Sequence, residues 1–303
     1  MQPDLSVEIA GLSLANPLLP GSGPPGDGLE KLEKLDRVSI GALVTKTISV
    51  ALPEVARPTM ATEGELFFNV EKWSERPYAE WLSRILPALK DRSAPLLVSL
   101  GYTPDDLETL IPLFDPLVDG FELSTHYIAA DSKLFADTIK RARTLTRKPI
   151  FPKLSWHGGD IAGRAALCAD SGADGITAIN SVPALSIDST KRASRLGGTD
   201  PYCWLSGPAI KPLALRAVYD AARAVHIPVI ACGGVASGTD AVEFMLAGAS
   251  AVETCTALMR KGPALVGDML GEMRSWCAAQ GVGAISEIVG TVIPHYKKRD
   301  GAP

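Results

Sequence analysis

Short apolar runs alternate with amphipathic stretches along most of the chain, and their order predicts a fold. Apolar runs led by Leu18, Ala42, Leu96, Gly120, Ile150, Gly175, Val229 and Ala251 have the length of strands buried on both faces. Pro95, Pro149 and Pro228 stand directly before three of them. Between the runs, helical spacing of apolar residues covers Leu29–Leu35, Tyr78–Leu89, Pro104–Phe114, Leu134–Leu145, Arg164–Ser171, Ala214–Val225 and Ala241–Ala247. Ser237 or Thr239 can cap the last of these. Met269–Ala279 forms a final long helix, and Ser286–Val289 starts a short terminal one. Eight strands alternating with helices predict an α/β protein, a (β/α)8 TIM barrel. Leu5–Ile9, Gly11 and Leu12–Leu14 read as a small N-terminal β-hairpin ahead of it, closing the lower end.

Two stretches stand outside this repeat. From Ile48 to Arg76 the chain is irregular, with Pro53, Arg57-Pro58 and the run GELFFNVEKW, and is expected to rise over the carboxyl face as a lid or pocket wall. From Pro183 to Tyr202 it is polar and turn-rich, which suggests a crossover loop leading into the Gly-rich segment after Trp204. Nothing in the pattern calls for a boundary, so residues 1–303 are expected to form a single barrel domain; the fold typically needs about 250 residues.

Composition narrows the class of function. With 46% hydrophobic and 21% charged residues in 303, the chain reads as globular and soluble. A formal net charge of −4 gives no support for nucleic-acid binding. The cluster Lys297-Lys298-Arg299 reads as a solvated end, and the closing GAP as trailing sequence. The opening MQPDLSVEIAG has neither a basic segment nor an apolar run, so no signal peptide is expected. No apolar stretch reaches spanning length, so no membrane partner is expected. Five cysteines occur singly, without CxxC, which argues against a metal or iron–sulfur site and fits a reducing, cytoplasmic location. Cys168 and Cys277 read as buried, inert thiols.

The candidate chemistry lies at strand exits, where barrels carry it. Gly233-Gly234 follows Val229–Cys232 at once, and Cys255-Thr256 follows the last strand. Backbone N–H groups there can hold a dianionic phosphate, although a pair of glycines can equally serve a tight turn. Gly21-Ser22-Gly23 ends the first strand with small groups against which a flat ligand can lie. Lys46 and Lys153 end the second and fifth strands, and a lysine there suits an electron-rich ring or a carboxylate. The fourth strand ends in Ser124-Thr125-His126-Tyr127, where proton-transfer groups commonly sit; a hydrogen-bonded surface loop is the alternative. Asn180 ends the sixth strand. Asn69, between Phe67, Phe68 and Trp73, can offer an amide to a heterocycle, while the aromatics can simply anchor the loop.

Several longer motifs then become recognisable together: NPLLPGSG from Asn16, GALVTKT from Gly41, PKLS from Pro152, ADGITAIN from Ala173, LSGPAIKPLALR from Leu205, the long run from Ile227 through CTAL, and QGVGAISEIVG. With these the chain resembles the flavin-dependent dihydroorotate dehydrogenases, particularly the soluble class 1 members, over nearly its whole length. The resemblance implies FMN as cofactor. It makes Gly21 and Ser22 flavin-edge contacts, Lys46 the lysine near flavin and substrate, and Lys153 the lysine that stabilises the reduced ring. Ser206-Gly207, Gly233-Gly234 and Cys255-Thr256 then resemble the ribityl and phosphate cradle. It also implies a homodimer; a separate electron-transfer subunit stays open as a further partner.

The substrate side departs from the family pattern. Class 1 members usually carry ELN-SCPN at the fourth strand, whereas here Ser124 replaces an asparagine, Tyr127 holds the cysteine base position and Ala129 replaces another asparagine. Asn69 and Asn180 are retained; the run after Asn69 is Val70-Glu71-Lys72-Trp73-Ser74-Glu75. The resemblance therefore implies an FMN-dependent oxidoreductase acting on a C–C bond beside a carbonyl in a small substrate, cyclic amides included. Tyr127 or His126 would move the proton, Tyr127 by its position in the motif, and Lys46 would hold substrate charge. Asn69, Ser124 and Asn180 would orient polar edges. Three alternatives stay open: a dihydroorotate dehydrogenase with an unusual base loop, a flavin-binding electron-transfer or structural subunit, and a flavin-free aldolase-type barrel.

Overall fold

The computed structural model describes residues 2–156, 159–294 and 296, so the basic cluster Lys297-Lys298-Arg299 and residues 301–303 lie outside the described residues. An antiparallel hairpin, β1 (Val7–Ile9) and β2 (Leu12–Leu14), opens the chain with Ile9 facing Leu12. Strands β3 (Leu18–Pro20) and β4 (Leu43–Val44) follow. Next come β5 (Met60–Glu63), β6 (Leu66–Asn69), β7 (Leu96–Leu100), β8 (Gly120–Ser124), β9 (Ile150–Leu154) and β10 (Ile176–Ala178). The later strands are β11 (Val182–Leu185), β12 (Ile187–Asp188), β13 (Ala193–Ser194), β14 (Tyr202–Ser206), β15 (Val229–Cys232) and β16 (Ala251–Thr254).

Eight of these form one parallel sheet in the order β3-β16-β15-β10-β9-β8-β7-β4. The two ends meet where the Gly41 amide donates to the Leu18 carbonyl at 2.8 Å, which closes the barrel. Glycine is required at that seam, because a Cβ on Gly41 would sit 1.9 Å from the Asn16 carbonyl oxygen. The (β/α)8 expectation and the N-terminal hairpin both hold. Every residue of β7, β8, β9, β15 and β16 is buried, which is why those runs lack the alternation of a half-exposed strand.

Helices pack around the sheet and bury Trp81, Phe114, Phe135 and Phe244 completely. Full burial of a side chain of this size stabilises by about 1.5–3 kcal/mol. Their starts are fixed by polar caps: Thr103 receives the Asp106 amide, Asp131 that of Leu134, Asp160 that of Ala162, and Ser237 that of Asp240. Each such cap contributes about 1 kcal/mol. Of the two cap candidates before Ala241, Ser237 is the one used. The segment over residues 78–88 is helical but widens to a π-type turn at Trp81–Ile85, and Ile285–Ile288 is a 3₁₀ turn.

The two stretches outside the repeat are more ordered than the sequence suggests. Both contain strands, and together they build a four-stranded antiparallel sheet in the order β11-β14-β6-β5. Trp204 faces Asn69 and Leu205 faces Phe68, so segments far apart in sequence are joined by a ladder. The expected crossover loop over 183–202 is thus corrected to strand pairing, and the Gly-rich loop expected after Trp204 begins only once β14 has ended at Ser206. Phe68, Leu196 and Cys203 form a small apolar cluster beneath this sheet.

Candidate active site

The carboxyl ends of the barrel strands and the inner side of the added sheet enclose one cavity. The turn after β3 contributes Gly21 and Ser22, and the segment after β4 contributes Lys46. From β8 and its exit come Ser124, His126 and Tyr127, and from β9 Lys153. Asn180 follows β10, Gly233-Gly234 follow β15, and Cys255-Thr256 follow β16. The added sheet supplies Asn69, Ser206 and the adjoining Gly207. All fifteen residues singled out from the sequence for catalysis, substrate or cofactor therefore line the same space.

The Gly-rich loops converge on one side. Thr256 Oγ1 and Ser206 Oγ are 3.2 Å apart. Gly233 (φ +118°) and Gly234 (φ +82°) adopt backbone that L side chains rarely adopt. A Cβ on Gly234 would lie 2.6 Å from backbone atoms of Lys211, so the loop lies hard against the start of the helix Lys211–Ala224. Lys211 itself is held by Asp240 and by Glu243, the latter at 2.7 Å. This side of the cavity therefore presents backbone and hydroxyl groups, and the ammonium of Lys211 beside it is already paired. Gly21 is packed against Cys255, whose Cβ would be 2.9 Å from an added methyl. Burial pushes the Cys255 thiol up to about 12, so it stays neutral.

Opposite the cradle the two lysines are held by carboxylates that the sequence reading did not assign. Lys46 Nζ pairs with Glu71 Oε2 at 2.7 Å, a contact that fixes the chain after β6 over the strand exit. Lys153 Nζ donates to Glu253 Oε2 at 2.6 Å, to Ser22 Oγ at 3.2 Å and to Glu122 Oε2 at 3.4 Å. Ser99 Oγ donates to Glu122 Oε1 at 3.2 Å and meets Thr47 Oγ1 at 2.9 Å. A polar layer therefore crosses the top of the barrel interior, from β7 through β8 and β9 to β16. The opposed lysine and the surrounding hydrogen bonds hold Glu122 below the usual carboxylate range despite its burial. Burial and the Glu122 charge push Glu253 up to about 8. The glutamates in the otherwise apolar runs Gly120–Ser124 and Ala251–Thr254 were the signal available in sequence.

Aromatic rings wall the remaining side. Tyr127, 48% exposed, stands at the rim with its ring 4.9 Å from Tyr102 and 6.0 Å from Trp73. Its partial burial still moves the phenol upward, away from the value a base working near neutrality needs. His126 is buried, packs at 4.0 Å on Trp204, and has Nδ1 2.9 Å from Ser155 Oγ. Asn69 accepts from the Glu71 amide at 3.3 Å, and Asn180 accepts from the Ser181 amide at 2.8 Å, so both amides also brace their own turns. Tyr102, Trp204, Phe67, Met60 and Cys232 also line the cavity and were not assigned from sequence. Cys203 lies instead in the cluster beneath the added sheet, and Cys168 and Cys277 are buried in the core. No helix among the described residues is long and apolar enough to cross a membrane.

The sequence profile of the dihydroorotate dehydrogenase family matches residues 4–276. A catalytic subunit of dihydroorotate dehydrogenase B (NAD(+)) from Geobacter sulfurreducens is 36% identical over 306 residues, covering 96% of this chain and 99% of that protein. Its counterparts from Pelobacter propionicus and Geobacter metallireducens are each 35% identical, with the same coverage. The profile match and the end-to-end similarity agree with the barrel and its lined cavity: this chain belongs to the dihydroorotate dehydrogenase family.

Proposed function

We propose that this chain is an FMN-dependent oxidoreductase that oxidises or reduces a C–C bond beside a carbonyl in a small planar substrate. The observation that carries the reading is the pairing, across one cavity, of Gly-rich backbone loops with two buried lysines. FMN fits that division: Ser206, Gly207, Gly233, Gly234 and Thr256 would hold the phosphate and ribityl chain. Gly21 and Ser22 would lie along the ring edge, with Lys46 and Lys153 reaching toward it. A Cβ at Gly21 would meet Cys255 and one at Gly234 would meet Lys211, so both glycines let these loops pack closely where they border the cavity. Bound FMN would supply the two-electron acceptor or donor, and the protein supplies orientation and charge.

The chain's own residues then divide the work. Between the two candidates for proton transfer, the geometry favours His126, because it is buried at the cavity wall and its ring is oriented by Ser155. Tyr127 closes the rim. Ser124, Asn69 and Asn180 orient polar edges of the substrate, and Lys46 with Glu71 forms a neutral pair beside it. A substrate carboxylate would need to displace Glu71 from Lys46, so uncharged cyclic amides suit the site better than orotate itself.

The test is the visible spectrum of the purified chain, followed by anaerobic flavin reduction with dihydroorotate and with uncharged cyclic amides. A colourless protein that takes up no added FMN refutes the reading. Rapid reduction of Tyr127→Phe, with slow reduction of His126→Asn, is expected; the reverse order would restore Tyr127 as the base. Fast reduction by dihydroorotate itself would favour a dihydroorotate dehydrogenase with an altered base loop. The relatives are named as catalytic subunits of an NAD(+) enzyme, which supports a separate electron-transfer partner for this chain too. Electron exchange with a dye but not with NAD, in the chain alone, is then expected.

A further inference from the structure

Two carboxyl groups and one ammonium meet beneath the cavity, where Lys153 and Glu253 line it and Glu122 lies behind them. Lys153 Nζ reaches Glu253 at 2.6 Å and Glu122 at 3.4 Å, and all three side chains are at least 95% buried. Glu253 Oε1 has no hydrogen-bond partner although its residue is 1% exposed and lines the cavity. An orphaned buried oxygen costs about 1–3 kcal/mol, and two carboxylates in one site resist joint ionisation. A single proton between the two carboxyls relieves that repulsion, and the side-chain hydrogen bond between Glu122 and Glu253 gives it a place.

Resting on the FMN reading above, we propose that Glu122 and Glu253 share one proton that is bound and released in step with the redox state of the flavin. Glu122 faces the pair from β8 and Glu253 from β16; Lys153 faces them from β9, Ser99 from β7 and Ser22 from the turn after β3. Burial, with the charge of Glu253 adding to it, moves the thiols of Cys232 and Cys255 upward, so neither competes for the proton. Lys46 and Glu71 lie across the cavity as a pair of their own. With burial and Glu122 raising Glu253 to about 8, the pair carries one proton at neutral pH and loses it in mild alkali. Bound FMN would take up two electrons and one proton on reduction, and Lys153 would then face added negative charge. That charge holds the shared proton in place at a pH where the oxidised protein has already released it. Reduction in that range therefore draws one further proton from solvent onto the carboxyl pair, and reoxidation returns it.

The experiment is spectroelectrochemical titration of the FMN-loaded full chain from about pH 6 to about pH 10, for the wild type, Glu253→Gln and Glu122→Gln. Above pH 8 the wild-type midpoint potential should fall more steeply by one proton per two electrons, tenfold in equilibrium constant per pH unit, or about 30 mV. Both variants should lose that extra slope. Flavin content and melting temperature, measured alongside, identify a variant that has merely lost its fold, and the second variant then carries the comparison. Equal slopes in wild type and variants overturn the shared proton while leaving the FMN reading intact. A chain that binds no FMN overturns both.

Discussion

Replacing Gly234 by alanine separates a ligand-holding loop from a mere turn. The new Cβ would lie 2.6 Å from the Lys211 backbone, so about 0.8 Å of movement is needed to restore ordinary contact at 3.4 Å. The helix beginning at Lys211 is anchored by its buried face, including Ala214, Ala217 and Val218, so the loop and not the helix must yield. The left-handed φ of +82° adds strain of about 1–3 kcal/mol for a residue with a side chain. Gly64 is the control: its φ is +57° and a Cβ there meets nothing within 4 Å, so Gly64→Ala measures the strain alone. If the loop amides hold the FMN phosphate, losing one charge-assisted hydrogen bond costs about 1.5–3 kcal/mol, roughly 10- to 150-fold in Kd. Thermal melting of the FMN-free proteins reads the first quantity, and FMN titration by fluorescence quenching reads the second. Gly234→Ala should lose both stability and FMN affinity, and Gly64→Ala stability only. A Gly234→Ala protein that melts lower yet binds FMN as tightly as wild type would refute the cradle and leave the glycines as turn residues.

Other outcomes follow from the buried charges. Lys46→Met strands Glu71, which is partly solvated, and should cost about 2 kcal/mol, less than for a fully buried pair; adding Glu71→Gln should recover most of it in denaturant melts. The carboxyl pair predicts a definite pH profile of stability. Glu122, lowered in the folded chain, contributes stability that is lost as pH falls below its unfolded value of 4.5. Glu253, raised to about 8, keeps a proton that the unfolded chain gives up near 4.5, so stability declines between 4.5 and about 8 and then levels. Melting temperatures of Glu253→Gln should lack that decline, and an unchanged decline would remove Glu253 from the account.

The barrel was legible because its strands are buried on both faces and stand as uninterrupted apolar runs, several introduced by proline. Strand-end residues could be named for the same reason: once Lys153 or Gly233 is placed at an exit, it must face the mouth. The added sheet could not be read as one, because β6 and β14 are partly exposed and the ladder that joins them links residues more than a hundred positions apart. The ion pairs were hidden likewise. Glu122 and Glu253 are single carboxylates in different strands, and only closure of the barrel brings them to one ammonium. Tyr127 shows the limit of motif position: the motif offers it as the base, yet it stands at the rim, in a setting that disfavours its ionised form.

Since β6 is flanked by β5 on one edge and β14 on the other, the long insertion after β4 and the one after β10 are laced into a single wall. Neither can swing aside as an independent flap. Shortening one would strip the edge of the other, so changes of length in these two insertions must occur together. A protease nick in either should loosen both.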